Sequence, residues 1–302
     1  MPRAAAAGPS RRDLLRLACG LVVAATAGAQ PRGELRLLLA AQTAQHVALV
    51  QALRARWAAV TSSSDIPAAA RGRPAPLAYV AVGPRALQQA LAIALDAPLI
   101  AALVSRQAYG RIVEQGARPS RGVTALFAES SPAQQMRTIA AIMRRPVTVG
   151  ALVSSQSNYM EAAIKAEADA TGLSAMVQAY DPAIGLSRNL LRLSTADAIL
   201  TYPDSDIYTP DSLRELLEST YRRRQPAFGF SAALVNAGTL ASAFSSADDL
   251  AAHVVELLST VTEGRLPAAQ YPRYWRVAIN DSVARSLDIV VDASARNLGD
   301  RP

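Results

Sequence analysis

Polar, aromatic or glycine residues stand directly after the short apolar runs of this 302-residue chain, and those runs have the pattern of buried strands. In an open sheet of parallel strands, ligands bind beyond the carboxyl ends of the strands, where the following helices begin. We therefore take ten residues at such positions as candidate ligand-binding residues. They are Gln42, Gly83, Ser105, Arg106 and Ser130 in the first half of the chain, and Ser154, Asp204, Ser205, Phe230 and Ser231 in the second half.

Several of these residues could contact a ligand directly, or could have a purely structural role instead. The Asp204 carboxylate could accept charge-assisted hydrogen bonds from a ligand ammonium group, or it could form a turn or helix cap within the sequence PDSD. Arg106 could clamp a carboxylate through two hydrogen bonds, or lie on the surface. Phe230 could stack on an apolar or aromatic ligand, or belong to the core. Gly83 allows close approach of its backbone, and Ser130 could cap a helix.

The sequence lacks the common motifs of catalysis. It contains no G-x-G-x-x-G, P-loop, H-E-x-x-H or G-x-S-x-G pattern. Its two histidines, His46 and His253, lie on helical patterns, where we expect surface or partly buried side chains. The single cysteine, Cys19, lies in an N-terminal segment that we expect to be removed, which excludes a thiol nucleophile or thiolate metal site from the mature chain. We predict a binding protein without catalytic residues, metal or cofactor.

Strand-like runs alternate with helical patterns from Glu34 onwards, which predicts an α/β fold with parallel sheets. One helix has a clear start, because Ser131 and Gln134 fit a capping box with Pro132 at the first helical position. A break near residues 144–146 divides the alternation into two series. The sequence therefore predicts two lobes.

The segment TYRRRQPAFGFSAALVNAGTLAS, residues 220–242, raises the question of how the lobes are joined. Arg222 to Arg224 fit the end of a helix, where cations suit the negative end of the dipole. Pro226 then begins a short buried strand, and LASAFS has the pattern of another. We interpret the small residues of 231–239 as a link that leaves one sheet and enters the other.

The first 29 residues have the layout of a secretory signal peptide. Arg11 and Arg12 precede an apolar run from Leu14 to Thr26, and Ala27-Gly28-Ala29 suits signal peptidase. The segment SRRDLLR also resembles a twin-arginine signal. We predict cleavage after Ala29 and a periplasmic location by the Sec or twin-arginine route; the alternative is an N-terminal anchor that is never cut.

The charge of the chain argues against nucleic-acid binding. The formal net charge is +7, and residues 1–29 contain four arginines and one aspartate, which leaves +4 on the mature chain. The basic residues of that mature chain are scattered along the sequence. We therefore expect no nucleic-acid partner.

Four long segments carry a resemblance to a known family: FAESSPAQQM, YPDSDIY, the segment at 220–242, and LPAAQYPRYWRVAINDSVARSLDI. From about Glu34 to Ile289 the chain resembles ABC-type transporter substrate-binding proteins of the periplasmic type I fold. The nearest branch includes tryptophan-binding transport proteins. Asp204 follows one of the predicted strands, and in the family that this chain resembles an acidic residue after that strand often faces the ligand.

The resemblance implies two Rossmann-like lobes joined by a three-crossover hinge, with the ligand between them. We place the crossovers near Arg145, near Asn236 to Thr239, where Gly238 would act as a hinge, and near Pro267 to Tyr274. Lobe I would comprise residues 30–145 and 239–267, and lobe II residues 146–238 and 268–302. The expected partners are a small molecule, such as an amino acid or related metabolite, and an ABC permease. A membrane sensor instead of a permease is an alternative that the sequence leaves open, and we expect a monomer.

Overall fold

The computed structural model describes residues 33–116, 121–262 and 265–302. The predicted signal peptide, its cleavage site after Ala29 and Cys19 lie outside these residues. The first sheet has five parallel strands in the order β2-β1-β3-β4-β5. Its strands are β1 (Leu35–Leu39), β2 (Val60–Ser63), β3 (Ala78–Val82), β4 (Leu99–Val104) and β5 (Val123–Phe127), and the helices between them are α1 (Ala44–Arg56), α2 (Ile66–Arg71), α3 (Pro84–Leu91) and α4 (Arg106–Gln115).

The second sheet has six strands in the order β11-β10-β9-β8-β6-β7, and all of its pairs are parallel except β10 with β11. Its strands are β6 (Thr148–Val153), β7 (Ser174–Ala179), β8 (Ala198–Leu200), β9 (Ala227–Phe228), β10 (Ala241–Phe244) and β11 (Arg276–Ile279). The remaining helices are α5 (Pro132–Met143), α6 (Met160–Ala170), α7 (Gly185–Leu191), α8 (Pro210–Arg222), α9 (Ala232–Ala237), α10 (Ala247–Thr262), α11 (Asp281–Ser286) and α12 (Ala293–Arg296), with a 3-10 turn at Pro182–Ile184.

The predicted α/β fold is confirmed, with two sheets of mostly parallel strands, and burial explains why the strands were recognisable. Every residue of β1 and of β3 is buried, as expected for central strands that helices cover on both faces. The predicted capping box is present as well: the Ser131 side chain accepts from the Gln134 N–H, and the Gln134 side chain accepts from the Ser131 N–H. Local sequence therefore determines these elements.

The link at 231–239 does not cross between sheets, which corrects our prediction. Ser231 caps the short helix α9, and Gly238 ends it with a φ of +131°. The chain then returns to the same sheet, where Ala241 of β10 pairs with Phe228 of β9. Gly238 is therefore a turn residue inside lobe II, because glycine tolerates a φ at which other residues are strained.

The first crossover also lies earlier than predicted. Helix α5 packs on the second sheet, where Met136 and Ile139 share a core cluster with Val149 and Leu200. The chain therefore leaves lobe I at about Ser131, before α5, and not near Arg145. The apolar stripe of α5 predicted a buried face, but such a stripe is equally suited to either sheet.

The other two crossovers follow from the partners of α10 and Gln270. Helix α10 packs through Leu250 and Val254 into the core of the first sheet, so the chain returns to lobe I after β10, at residues 245–246. The Phe127 N–H donates to the Gln270 carbonyl, and the Gln270 N–H donates to the Ala125 carbonyl, each at 2.9 Å, so Gln270 extends the first sheet. The third crossover lies between Gln270 and β11.

Lobe I thus comprises the described residues of 33–130 and 246–271, and lobe II comprises 131–245 and 272–302. Within the described part of the chain, no helix is both long enough and apolar enough to cross a membrane.

Candidate ligand-binding cleft

A cavity of about 640 Å³ lies between the two lobes, at the carboxyl ends of both sheets. Lobe I contributes the first turns of α1 and α4, the start of α3 and the residues after β5. Lobe I also contributes the start of α10, and lobe II contributes residues after β8 and β9 together with Phe244 and Ser245 at the end of β10. The lining residues are Ala44, Gln45, Ala48, Leu49, Pro84, Leu103, Ser105, Ala108, Ala128, Glu129, Pro203, Phe230, Ser231, Ala232, Ala233, Phe244, Ser245, Ser246, Ala247 and Leu250.

Of the helices that the structure describes, five begin at this cavity: α1, α3, α4, α9 and α10. Each follows a parallel strand, so the same topology that buries the strands directs the helix N-termini into the cleft. Two of the predicted site residues line the cavity as helix caps. The Ser105 side chain accepts from the Ala108 N–H at 3.2 Å, and the Ser231 side chain accepts from the Leu234 N–H at 3.3 Å.

Phe230 also lines the cavity. Its half-buried ring lies 6.4 Å from the Tyr208 ring, between centroids, at a tilt of 49°. The ring packs on the core of lobe II and also lines the cavity, and its stacking on a ligand stays a prediction.

Asp204 lies outside the lining of the cavity and serves a turn of lobe II. Its side chain is buried and accepts hydrogen bonds from the Ser157 hydroxyl and from the N–H groups of Ser154 and Asp206. Both carboxylate oxygens are therefore engaged within the lobe. The geometry favours the structural alternative for Asp204, although the turn is buried and not solvated.

Arg106, Gln107 and Ser205 connect the lobes beside the cavity. The Arg106 guanidinium lies 4.6 Å from the centre of the Tyr159 ring, and its Nη1 donates to the Tyr271 hydroxyl at 3.3 Å. The Ser205 N–H donates to Oε1 of Gln107 at 3.2 Å. Arg106 and Gln107 also line a second, more polar cavity of about 780 Å³ between α4 and the residues before α6. The first turn of α4 is therefore in contact with both lobes.

The remaining predicted residues are not among those that line the 640 Å³ cavity. Gln42 is exposed before α1, and Ser154 is buried in the turn around Asp204. Gly83 has a φ of +88° and precedes α3 without a side-chain cap; an added Cβ would lie 3.0 Å from Nε2 of His46. Ser130 is fully buried, and its hydroxyl has no hydrogen-bond partner among the described residues.

Sequence reasoning missed Glu129. Its side chain is 5% exposed and lines the cavity. Oε1 accepts from the Arg106 N–H at 2.9 Å, whereas Oε2 has no hydrogen-bond partner within the described part of the chain. Burial raises the pKa of this carboxyl to about 7, against the opposing effects of the Arg106 N–H, the backbone N–H of Glu129 itself and the Arg106 charge. The signal was present in FAESS, where an acidic residue follows a buried strand, but from the sequence we selected the neighbouring Ser130.

Metal binding finds no support in the described residues, because no three or more His, Cys, Asp or Glu side chains there are grouped so that they could hold an ion. The cleft of the described structure therefore offers hydrogen bonds, apolar contact and one carboxylate.

No family model matches the sequence, and no curated protein matches it. Solved structures, in contrast, do match this chain. The ligand-free, open structure of a substrate-binding protein with adhesive properties from Clostridium difficile aligns over 88% of this chain and 98% of its own, with a TM-score of 0.64 and 13% identity. An ABC domain from Streptococcus pneumonia in complex with L-Trp aligns over 87% and 97%, with a TM-score of 0.56 and 20% identity. The chain has the type I fold of periplasmic substrate-binding proteins.

A third structure with this fold, a conserved domain protein from Vibrio cholerae, aligns over 87% of this chain and 98% of its own, with a TM-score of 0.57 and 16% identity. The expected fold class is thus confirmed. In such a two-lobe fold the cleft between the lobes is the natural place for a small ligand, because the carboxyl ends of both sheets meet there.

Proposed function

We propose that this protein is an extracytoplasmic solute-binding protein that captures a small molecule between its lobes and delivers it to an ABC-type permease. The observation that carries the proposal is the cavity of about 640 Å³ lined by both lobes. Its volume is within the range of small-molecule sites, and its lining combines apolar side chains with a few polar groups, as such sites do. In this proposal the protein binds its ligand without catalysis.

The arrangement of the crossovers supports a clamshell movement. Within the described part of the chain, three short segments connect the lobes, near residues 131, 245 and 272, and rotation about them would need changes at few backbone dihedrals. A ligand in the cavity would contact α1 and α4 from lobe I and α9 from lobe II. Since both sets of contacts form together only when the lobes approach each other, the ligand would shift the population towards the closed state.

The likeness to an L-Trp-bound domain suggests the first compounds to try, and an amino acid with an apolar side chain suits the mostly apolar lining. The predicted export signal would place the protein where such ligands arrive from outside the cell. The closed form is then the form that a permease would recognise.

A thermal-shift screen tests the proposal, because a ligand that binds only the folded state raises the melting temperature. The screen uses the twenty standard amino acids, their decarboxylated amines, their deaminated acids, D-glucose and myo-inositol. We expect at least one compound to stabilise the natural protein and to lose its effect in Ala48→Trp, which fills the cavity from α1.

The matched control is Ala162→Trp, which makes the same change at an exposed position of α6. The control should respond to the compound as the natural protein does. If no compound stabilises the protein, or if Ala48→Trp responds as fully as the control, the proposed capture in this cavity is wrong.

A further inference from the structure

Glu129 is the one lining residue of the 640 Å³ cavity, among those that the structure describes, with an ionisable side chain. Glu129 is the second residue after β5, and it is 5% exposed. The Arg106 N–H, at the start of α4, holds Oε1, and Oε2 is left without a partner among the described residues. A buried carboxylate oxygen without a partner is unfavourable in the empty protein, so a ligand that supplies a donor there gains a strong interaction.

Glu129 titrates near neutral pH, whereas the ionisable groups around it keep the same charge there. Arg106 from α4 carries a permanent positive charge and lowers the pKa of the carboxyl. The hydroxyls of Tyr159, Tyr202 and Tyr271 also interact with it, and burial raises the pKa of all three, so they stay neutral. The Arg106 side chain is directed to Tyr159 and Tyr271, as described above.

We propose that Glu129 selects ligands that carry a protonated amine, and that their capture drives the proton of the Glu129 carboxyl into solvent. The inference rests on the function proposed above and names the ligand class of the same cavity. In the free protein near neutral pH the carboxyl is partly protonated. On binding, its proton passes to water, the ionised Oε2 accepts a charge-assisted hydrogen bond from the ammonium group, and the remainder of the ligand fills the apolar part of the cavity.

A ligand with only an acceptor is the competing chemistry, since a protonated Glu129 could donate to it. Two features favour the amine. The Arg106 N–H and the start of α4 stabilise the ionised form, because negative charge is favoured at a helix N-terminus. An ammonium ion also neutralises the buried charge that burial disfavours. The two chemistries give opposite dependence of affinity on pH, which makes them separable.

The test is calorimetric titration at pH 6 and pH 8 with the compounds that the screen identifies, each beside its amine-free counterpart. For L-tryptophan that counterpart is indole-3-propionate, and tryptamine keeps the amine without the carboxylate. Primary amines, with a pKa of about 10, stay protonated at both pH values. Because the Glu129 carboxyl has a pKa of about 7, its ionised fraction rises about tenfold over this range, and the affinity for amines should rise about tenfold with it.

Two variants and a control complete the test. Glu129→Gln keeps the shape of the side chain and should weaken amine binding by about tenfold or more at pH 8, with an affinity that no longer changes with pH. Glu129→Asp keeps the charge and should keep the pH dependence. Glu218→Gln, at an exposed carboxyl of α8 outside the cavity, should behave as the natural protein does.

The outcomes distinguish this inference from the function on which it rests. Binders that bind as tightly without their amine, or an affinity that is flat or falls from pH 6 to pH 8, would overturn the role of Glu129 and leave small-molecule capture standing. A screen in which no compound binds would overturn both.

Discussion

Replacing Glu129 by glutamine should remove a loss of stability that the natural chain suffers as the pH rises. The free energy of unfolding of Glu129→Gln should therefore increase, relative to that of the natural chain, from low to high pH. The substitution keeps an oxygen that can accept from the Arg106 N–H, and it removes the carboxyl that burial penalises. The effect requires no ligand and no partner. The comparison therefore reports the protonation state of the Glu129 carboxyl in the protein without ligand.

The magnitude follows from the pKa of the carboxyl in the two states. Burial raises the pKa of Glu129 from an ordinary 4.5 to about 7, so the folded state holds a proton that the unfolded state has released. Since the pKa is raised on folding, the stabilising effect is complete below pH 4.5 and is lost as pH rises through 7. Between pH 5 and pH 8 the natural chain should lose about 2–3 kcal/mol of unfolding free energy through this group.

Urea unfolding at pH 5 and pH 8 measures the effect in the natural protein, in Glu129→Gln and in the control Glu218→Gln. The other titrating groups contribute equally to all three proteins, so the difference between variants isolates Glu129. We expect Glu129→Gln to gain about 2–3 kcal/mol on the natural protein between the two pH values, and the control to gain almost nothing. A difference that does not change with pH would show that Glu129 is ionised in the folded state throughout, and would refute this reasoning.

Three further predictions concern the turn at Asp204, the end of α9 and the N-terminus. Asp204→Ala should lower the unfolding free energy by about 2–3 kcal/mol in urea titrations, because it leaves donors of lobe II unpaired, while ligand affinity changes little. Gly238→Ala should destabilise the protein by about 1 kcal/mol or more, because its φ of +131° strains any other residue; an unchanged melting temperature would contradict this. Mass spectrometry of the exported protein should find Gln30 at the N-terminus, and an intact Met1 form would contradict cleavage after Ala29.

The sequence was sufficient for the elements whose signals are local. Ser131, Gln134 and Pro132 mark the start of α5, and Thr209-Pro210 marks the start of α8, because caps depend on side chains within one turn. The runs that became β1 and β3 were recognisable because strands buried on both faces are apolar throughout.

The partners of these elements could not be predicted in the same way. The apolar face of α5 shows that the helix is buried but not which sheet it covers, and the small residues of 231–239 suit a link and a short capped helix equally well. The same limit applies to the site. Asp204 and Glu129 both follow strands. Only the three-dimensional structure shows that both carboxylate oxygens of Asp204 accept hydrogen bonds, whereas Oε2 of Glu129 has no partner among the described residues.

The central claim, that one ligand contacts both lobes in the cleft, is tested most directly by filling the cavity from each side in turn. Ala48→Trp fills it from α1 of lobe I, and Ala233→Trp fills it from α9 of lobe II. Calorimetric titration with a compound that stabilises the natural protein should show that each variant loses affinity by about tenfold or more, equivalent to ~1.4 kcal/mol or more, while Ala162→Trp binds normally. If either filled variant binds the compound as tightly as the natural protein does, the ligand does not lie between the lobes.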